Sequence, residues 1–263
     1  MGGSSTATPA TESVFESIAF EGQHLAIRLR EDHDVSMINV IDPEGSLFAQ
    51  QRVAVGETRV LIEMLDLNDG LGGHDHYRPG SYEVIALPET DGEQTQLDFT
   101  PQLRIRGVSQ YTGPRPEDLG RVIVSIENVG TAPTWVYDLV YRNAPQESAN
   151  RDLTGLLGIP WIKRPENASE LVIGPGETQS YVGYESPLLF PDSAVDSCSE
   201  DGEFTVVVGV ADGTAVEQKV KFNPGGQSRQ VNSIGEYVCS KVELALLNEQ
   251  STIIQNRISH GGE

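Results

Sequence analysis

Residues 66–76, DLNDGLGGHDH, gather more ligating side chains than any other stretch of this chain: Asp66, Asn68, Asp69, His74 and His76. Carboxylate and carboxamide oxygens beside glycines suit calcium, and paired imidazoles suit a transition metal. The order of the acidic residues lacks the alternate spacing of an EF-hand loop, and no glutamate follows where the bidentate ligand would stand. No cofactor is therefore expected, with calcium in this loop the possible exception, against the plainer reading of a polar connection between two strands. A second charged tip, Glu31-Asp32-His33-Asp34, offers carboxylates and an imidazole for acid–base work. Acidic chains produce such clusters in ordinary solvated loops. The sequence has no G-x-S-x-G elbow, no GxGxxG and no P-loop, so a non-enzymatic role is expected.

Three further features carry chemistry of a simpler kind. Cys198 and Cys239 are the only cysteines, too few for a zinc site without nearby histidines. A disulfide between them is expected, with two buried thiols as the alternative. Closing that loop would contribute about 4 kcal/mol in the chain-entropy model and would imply an oxidising compartment. Asn167-Ala168-Ser169 is an N-glycosylation sequon, which matters if the chain is extracytoplasmic. Leu156, Leu157, Ile159 and Trp161 lie among glycines and prolines in an irregular stretch. Apolar residues there either cap their own domain or form a contact patch, and aromatic anchors dominate such contacts.

The composition narrows the partners. Among 263 residues, 39 are acidic and 18 basic, a formal charge of -21, and only four are lysines: Lys163, Lys219, Lys221 and Lys241. Acid excess with scarce lysine is the composition of proteins that work in high salt, where screening removes their self-repulsion. Phosphate binding needs a basic stripe, so nucleic acid is not an expected partner. No run approaches the roughly 18 apolar residues of a transmembrane helix. The start, MGGSSTATPATES, has no basic or apolar signal region, but its small polar residues resemble the tether that follows a lipidated cysteine.

The elements that must position these residues are strands. In residues 121–141, RVIVSIENVGTAPTWVYDLVY, Val122, Val124 and Ile126 alternate with polar or outward positions, the period of a strand with one buried face. Residues 134–141 add a second, aromatic and β-branched run, and Asn128, Gly130 and Pro133 supply the turn between them. Trp135 or Tyr137 belongs in the core. Residues 25–29 alternate likewise, and Asp42-Pro43-Glu44-Gly45 is a turn sequence with proline in its second position. Six or seven strands before residue 99, with turn signals every 8 to 12 residues, predict an immunoglobulin-like sandwich. Residues 241–250 fit a strand or a helix face; the strand is preferred because Cys239 would tie it to a sheet.

The prediction is all-β, two consecutive immunoglobulin-like antiparallel β-sandwich domains. A flexible segment occupies residues 1–13, a first sandwich 14–99, a second 100–249 with an irregular insertion at 143–170, and a polar tail 250–263.

The second unit resembles the CARDB family, cell-adhesion-related immunoglobulin-like domains of bacterial and archaeal surface proteins. The residues that carry the resemblance are Asn128-Val129-Gly130-Thr131 after a strand, the Gly174-Pro175-Gly176-Glu177-Thr178 turn before another, and Ala211-Asp212-Gly213 closing a third. The insertion and the cysteine pair depart from that pattern. The two-part layout further resembles secreted or surface proteins of halophilic archaea. The resemblance implies display, adhesion or assembly through protein partners or self-association, on a cell surface or a virion, and no catalysis. A metal- or carbohydrate-binding module using residues 66–76 is the alternative.

Overall fold

Seven short strands fill the first part of the chain: β1 (Phe15–Glu21), β2 (His24–Leu29), β3 (Met37–Ile41), β4 (Leu47–Arg52), β5 (Arg59–Glu63), β6 (Gly80–Leu87) and β7 (Glu93–Phe99). They are seen in a computed structural model that describes residues 13–65, 76–87, 92–153, 160–191, 198–231, 236–247 and 252–255. Two antiparallel sheets result, ordered β1-β2-β5 and β4-β3-β6-β7. In the lettering of the immunoglobulin fold this is A-B-E against C′-C-F-G, so the expected sandwich is present. The turn at residues 42–45 forms as its sequence demands. The Asp42 carboxylate accepts from the amides of Glu44 (2.9 Å) and Ser46 (2.8 Å), and Gly45 takes the positive φ of 82° that ends the turn.

Eleven strands follow: β8 (Leu103–Gln110), β9 (Val122–Asn128), β10 (Thr134–Arg142), β11 (Ile162–Arg164), β12 (Val172–Ile173), β13 (Thr178–Gly183), β14 (Phe190–Pro191), β15 (Gly202–Val210), β16 (Thr214–Gln230), β17 (Glu236–Leu246) and β18 (Thr252–Gln255). One sheet runs β11-β13-β9-β8 and the other β12-β10-β15-β16-β17-β14. The first is D-E-B-A and the centre of the second is C-F-G, again an immunoglobulin-like order. In β9 the alternation read from sequence holds, Val122, Val124 and Ile126 being fully buried. Trp135 and Tyr137 are both in the core. The two runs of residues 121–141 are consecutive but lie in opposite sheets, β9 pairing with β8 and β13, and β10 with β12 and β15. Residues 252–255, expected within a polar tail, instead extend a sheet as β18 against Thr214–Glu217 of β16. The β-branched Thr252, Ile253 and Ile254 supply the strand preference. Residues 1–12 lie outside the described residues.

Cys198 and Cys239 are joined, with Cα atoms 5.7 Å apart. The bond ties the approach to β15 onto β17. That strand packs in turn against β8, where the Gln110 side chain donates to Cys239 O (3.5 Å) and accepts from Val242 N (3.2 Å). In this way the β16–β17 hairpin closes one side of the second sandwich.

Buried side chains of both sandwiches form one continuous apolar cluster. The junction is built on Asn128, which is fully buried. Its carboxamide donates to Ala132 O (2.8 Å) and Ile173 O (3.0 Å) and accepts from Gly130 N (3.0 Å) and Gln102 N (3.2 Å). Thr131 then grips the end of β7: its hydroxyl donates to Asp98 O (2.5 Å) and accepts from Thr100 N (3.0 Å). Gly130 lies so close to the connecting backbone that a Cβ would sit 2.2 Å from Thr100 O. From the first sandwich, the Tyr77 hydroxyl donates to Pro133 O.

Candidate functional site

Asp138 lies in the middle of β10 on the outer face of its sheet and is fully buried. A carboxylate there needs a counter-charge, since desolvation of an isolated ion costs several kcal/mol. Arg151 supplies it as a fork, Nη2 to Oδ1 at 2.7 Å and Nη1 to Oδ2 at 2.8 Å. Its Nε reaches Glu185 Oε1 at 3.4 Å. Burial works against the Arg151 charge, but Asp138 and Glu185 more than offset it and hold its pKa above the usual value. Two residues on, Leu153 packs against Val140, Val207 and Ala215 of the same outer face. The first part of the insertion thus covers the C-F-G sheet of its own domain.

A second buried carboxylate holds the other side. Asp118 ends a 3-10 turn (Pro116–Asp118) and is 1% exposed. Lys163 of β11 pairs with it directly, Arg121 Nη1 and Arg115 Nε stand at 3.7 Å, and the Arg115 amide donates to it at 3.3 Å. The carboxylate fits because residue 113 is glycine, where a Cβ would lie 2.2 Å from Asp118 Oδ2. Burial pushes the Asp118 carboxyl up, while Lys163 and the Arg115 amide pull it further down, leaving it below its ordinary value.

Between these two latches sit the exposed aromatics. Trp161 and Tyr184 are 49% and 44% exposed, with ring centroids 5.0 Å apart and planes inclined at 48°. Trp161 is pinned through its amide to Tyr137 O (2.6 Å). Tyr184 leans over the Arg121 guanidinium, 6.0 Å from centroid to Cζ, and Arg164 stacks on Tyr111 at 5.6 Å. The result is a half-exposed aromatic pair with the Arg121 guanidinium against one of its rings.

The buried hydroxyls of Tyr77, Tyr141 and Tyr181 are pushed well above the ordinary tyrosine value by burial, so none is poised as a base. Both carboxylates are already committed to cations. In the Glu31–Asp34 tip, His33 Nδ1 accepts from Val35 N (3.1 Å) while Nε2 faces Glu57 O (2.9 Å). That imidazole is occupied in holding backbone.

Of the residues singled out from sequence, Trp161 is in the exposed pair, while Leu156 and Leu157 lie outside the described residues. Asp66, Asn68, Asp69 and His74 also lie outside them. His76 turns to the domain junction, edge-to-face with Trp135 at 5.9 Å. Among the described residues, no group of three His, Cys, Asp or Glu side chains is arranged to hold a metal ion. Asn167 is exposed, its Nδ2 donating to Glu170 Oε1 at 2.7 Å. Tyr184 was not singled out; its only sequence signal is an aromatic residue just after a strand. Asp138 had a stronger one, a carboxylate inside the apolar run WVYDLVY.

No family model matches the sequence, and no curated protein matches it. Among solved structures, an amphioxus IgVJ-C2 molecule is similar at 12% identity over 86% of this chain and 96% of that one, with a TM-score of 0.17. A Salmonella alpha-2-macroglobulin variant is similar at 13% identity over 89% of this chain, with a TM-score of 0.19; the chain spans 20% of that protein's length. Scores this low leave the fold assignment to the strand order itself. Among the described residues no helix is long and apolar enough to cross a membrane.

Proposed function

We propose that this chain is a non-enzymatic adhesion or structural protein displayed outside a halophilic cell or on a virion, with the Trp161–Tyr184 surface as its contact to a protein partner. The observation that carries the reading is the exposed aromatic pair fixed by two buried ion-pair latches. Two large rings held rigidly in water lose little entropy on binding and bury much area, the profile of an interface anchor. The fixed junction between the sandwiches supports display, since it holds that surface at a set distance from the N-terminal domain. The disulfide supports an oxidising location, and the surface charge supports a saline one. The CARDB resemblance, carried by the turns at Asn128–Thr131, Gly174–Thr178 and Ala211–Gly213, agrees with adhesion. Retention of the labelled chain on envelopes from a halophilic host, compared with a Trp161→Ala/Tyr184→Ala variant, tests the proposal. Protease treatment of the envelopes separates a protein partner from a glycan.

A further inference from the structure

Asparagine recurs at the turns of the second sandwich, and those that precede Asn167 are spent on the fold. Asn128 makes the four bonds of the junction. Asn150 closes the start of the insertion on itself, its carboxamide accepting from Ala144 N (2.7 Å) and donating to Ala144 O (3.1 Å) and Gln146 O (3.0 Å). Asn143 holds the one positive φ of a non-glycine among the described residues, 57°, a conformation that asparagine tolerates better than most residues. Asn167 has no such task. Its side chain reaches Glu170 Oε1 (2.7 Å), three residues on, and makes no capping bond to backbone.

The local structure sets that side chain in water. Asn167 stands at the start of a 3-10 turn (Ala168–Leu171) with extended backbone, φ -97° and ψ 138°. The turn is anchored from behind. Gln179 Nε2 donates to Glu170 O (3.0 Å), the Tyr181 hydroxyl donates to Leu171 O (2.8 Å), and Leu171 enters the core. Glu166, Asn167, Ser169 and Glu170 are left exposed. Of the ten asparagines in the chain, Asn167 alone is followed two residues later by serine or threonine, with alanine and not proline between. The acceptor amide and the hydroxyl residue of the sequon are thus presented together, on a turn whose anchoring uses neither side chain.

We infer that Asn167 is a site of N-linked glycosylation. The inference shares with the reading above only the exported location that the disulfide supports, and it is independent of the Trp161–Tyr184 contact. The donor is an oligosaccharide carried on a lipid phosphate. Asn167 Nδ2 forms a bond to its anomeric carbon, and the bond from that carbon to the phosphate oxygen breaks. The lipid phosphate leaves with the electron pair, and one Nδ2 proton passes to solvent. Attached here, the glycan stands just past β11, the edge strand of its sheet. A bulky hydrophilic group at that position hinders pairing with a strand of another chain.

Glycopeptide mass spectrometry of the full chain recovered from its own cells or virions tests this. The peptide bearing Asn167 should carry a sugar on most copies. In the same host, Asn167→Gln and Ser169→Ala should return that peptide to its unmodified mass, and Ser169→Thr should keep the sugar. Both positions are exposed, so melting curves should not change beyond the loss of the glycan itself. A bare Asn167 in chains that carry the Cys198–Cys239 bond overturns the inference and leaves the adhesion reading standing. A bare Asn167 in chains whose thiols are free overturns the exported location with it. A sugar that persists in Asn167→Gln lies elsewhere and overturns the inference as well.

Discussion

Asp138 and Arg151 share two hydrogen bonds, at 2.7 and 2.8 Å, across the outer face of β10. The pair pins Arg151, at the start of the insertion, against β10, and the Trp161 amide bonds Tyr137 O of the same strand (2.6 Å). Replacing Asp138 by Ala strands a partly buried guanidinium, and removal of one partner of such a pair costs about 3 kcal/mol or more. A joint replacement by Leu at both positions should cost much less. Urea denaturation of the two variants measures the difference, and equal losses would show that the pair contributes only packing.

The junction should be equally sensitive at Asn128. Asn128→Ala removes four hydrogen bonds and leaves the Ala132 and Ile173 carbonyls without that donor, a loss of roughly 3 kcal/mol. Gly130→Ala must push residue 130 away from Thr100 O, and it should loosen the link between sandwiches without touching either core. Limited proteolysis should then cut near residues 100–102 in Gly130→Ala faster than in the wild type.

Much of the fold was legible in sequence because strands with one buried face advertise their period, as Val122, Val124 and Ile126 do. The turn at Asn128–Thr131 was legible too, but not its role, since its partners Asp98, Thr100 and Gln102 are brought to it by the fold. The aromatic site was only half legible. Trp161 stood out in an irregular stretch, whereas Tyr184 joins it only through the pairing of β11 with β13. In so acidic a chain Asp118 and Asp138 look like surface carboxylates. Only the surroundings of Asp138, apolar on both sides, hinted at burial.

Stability should depend on Asp118 at low pH. Its carboxyl is held below the ordinary 3.8 in the folded chain, so its contribution is complete above that value and is lost as pH falls through the lower folded one. The exposed carboxyls of Asp201 and Glu243 are lowered by Lys221 and Lys241, but molar salt screens those pairs. Urea midpoints taken in molar salt should therefore fall steeply below pH 3.8 in the wild type and less steeply in Asp118→Asn. Parallel curves would remove Asp118 from the account.

Adhesion through Trp161 and Tyr184 is tested most directly by retention of the full chain on halophilic host envelopes in molar salt. Wild-type protein should be retained, protease treatment of the envelopes should abolish retention, and Trp161→Ala/Tyr184→Ala should lower it at least about tenfold, the scale of losing an anchor worth 1.4 kcal/mol or more. Equal retention of the wild type and a folded double variant would contradict the account.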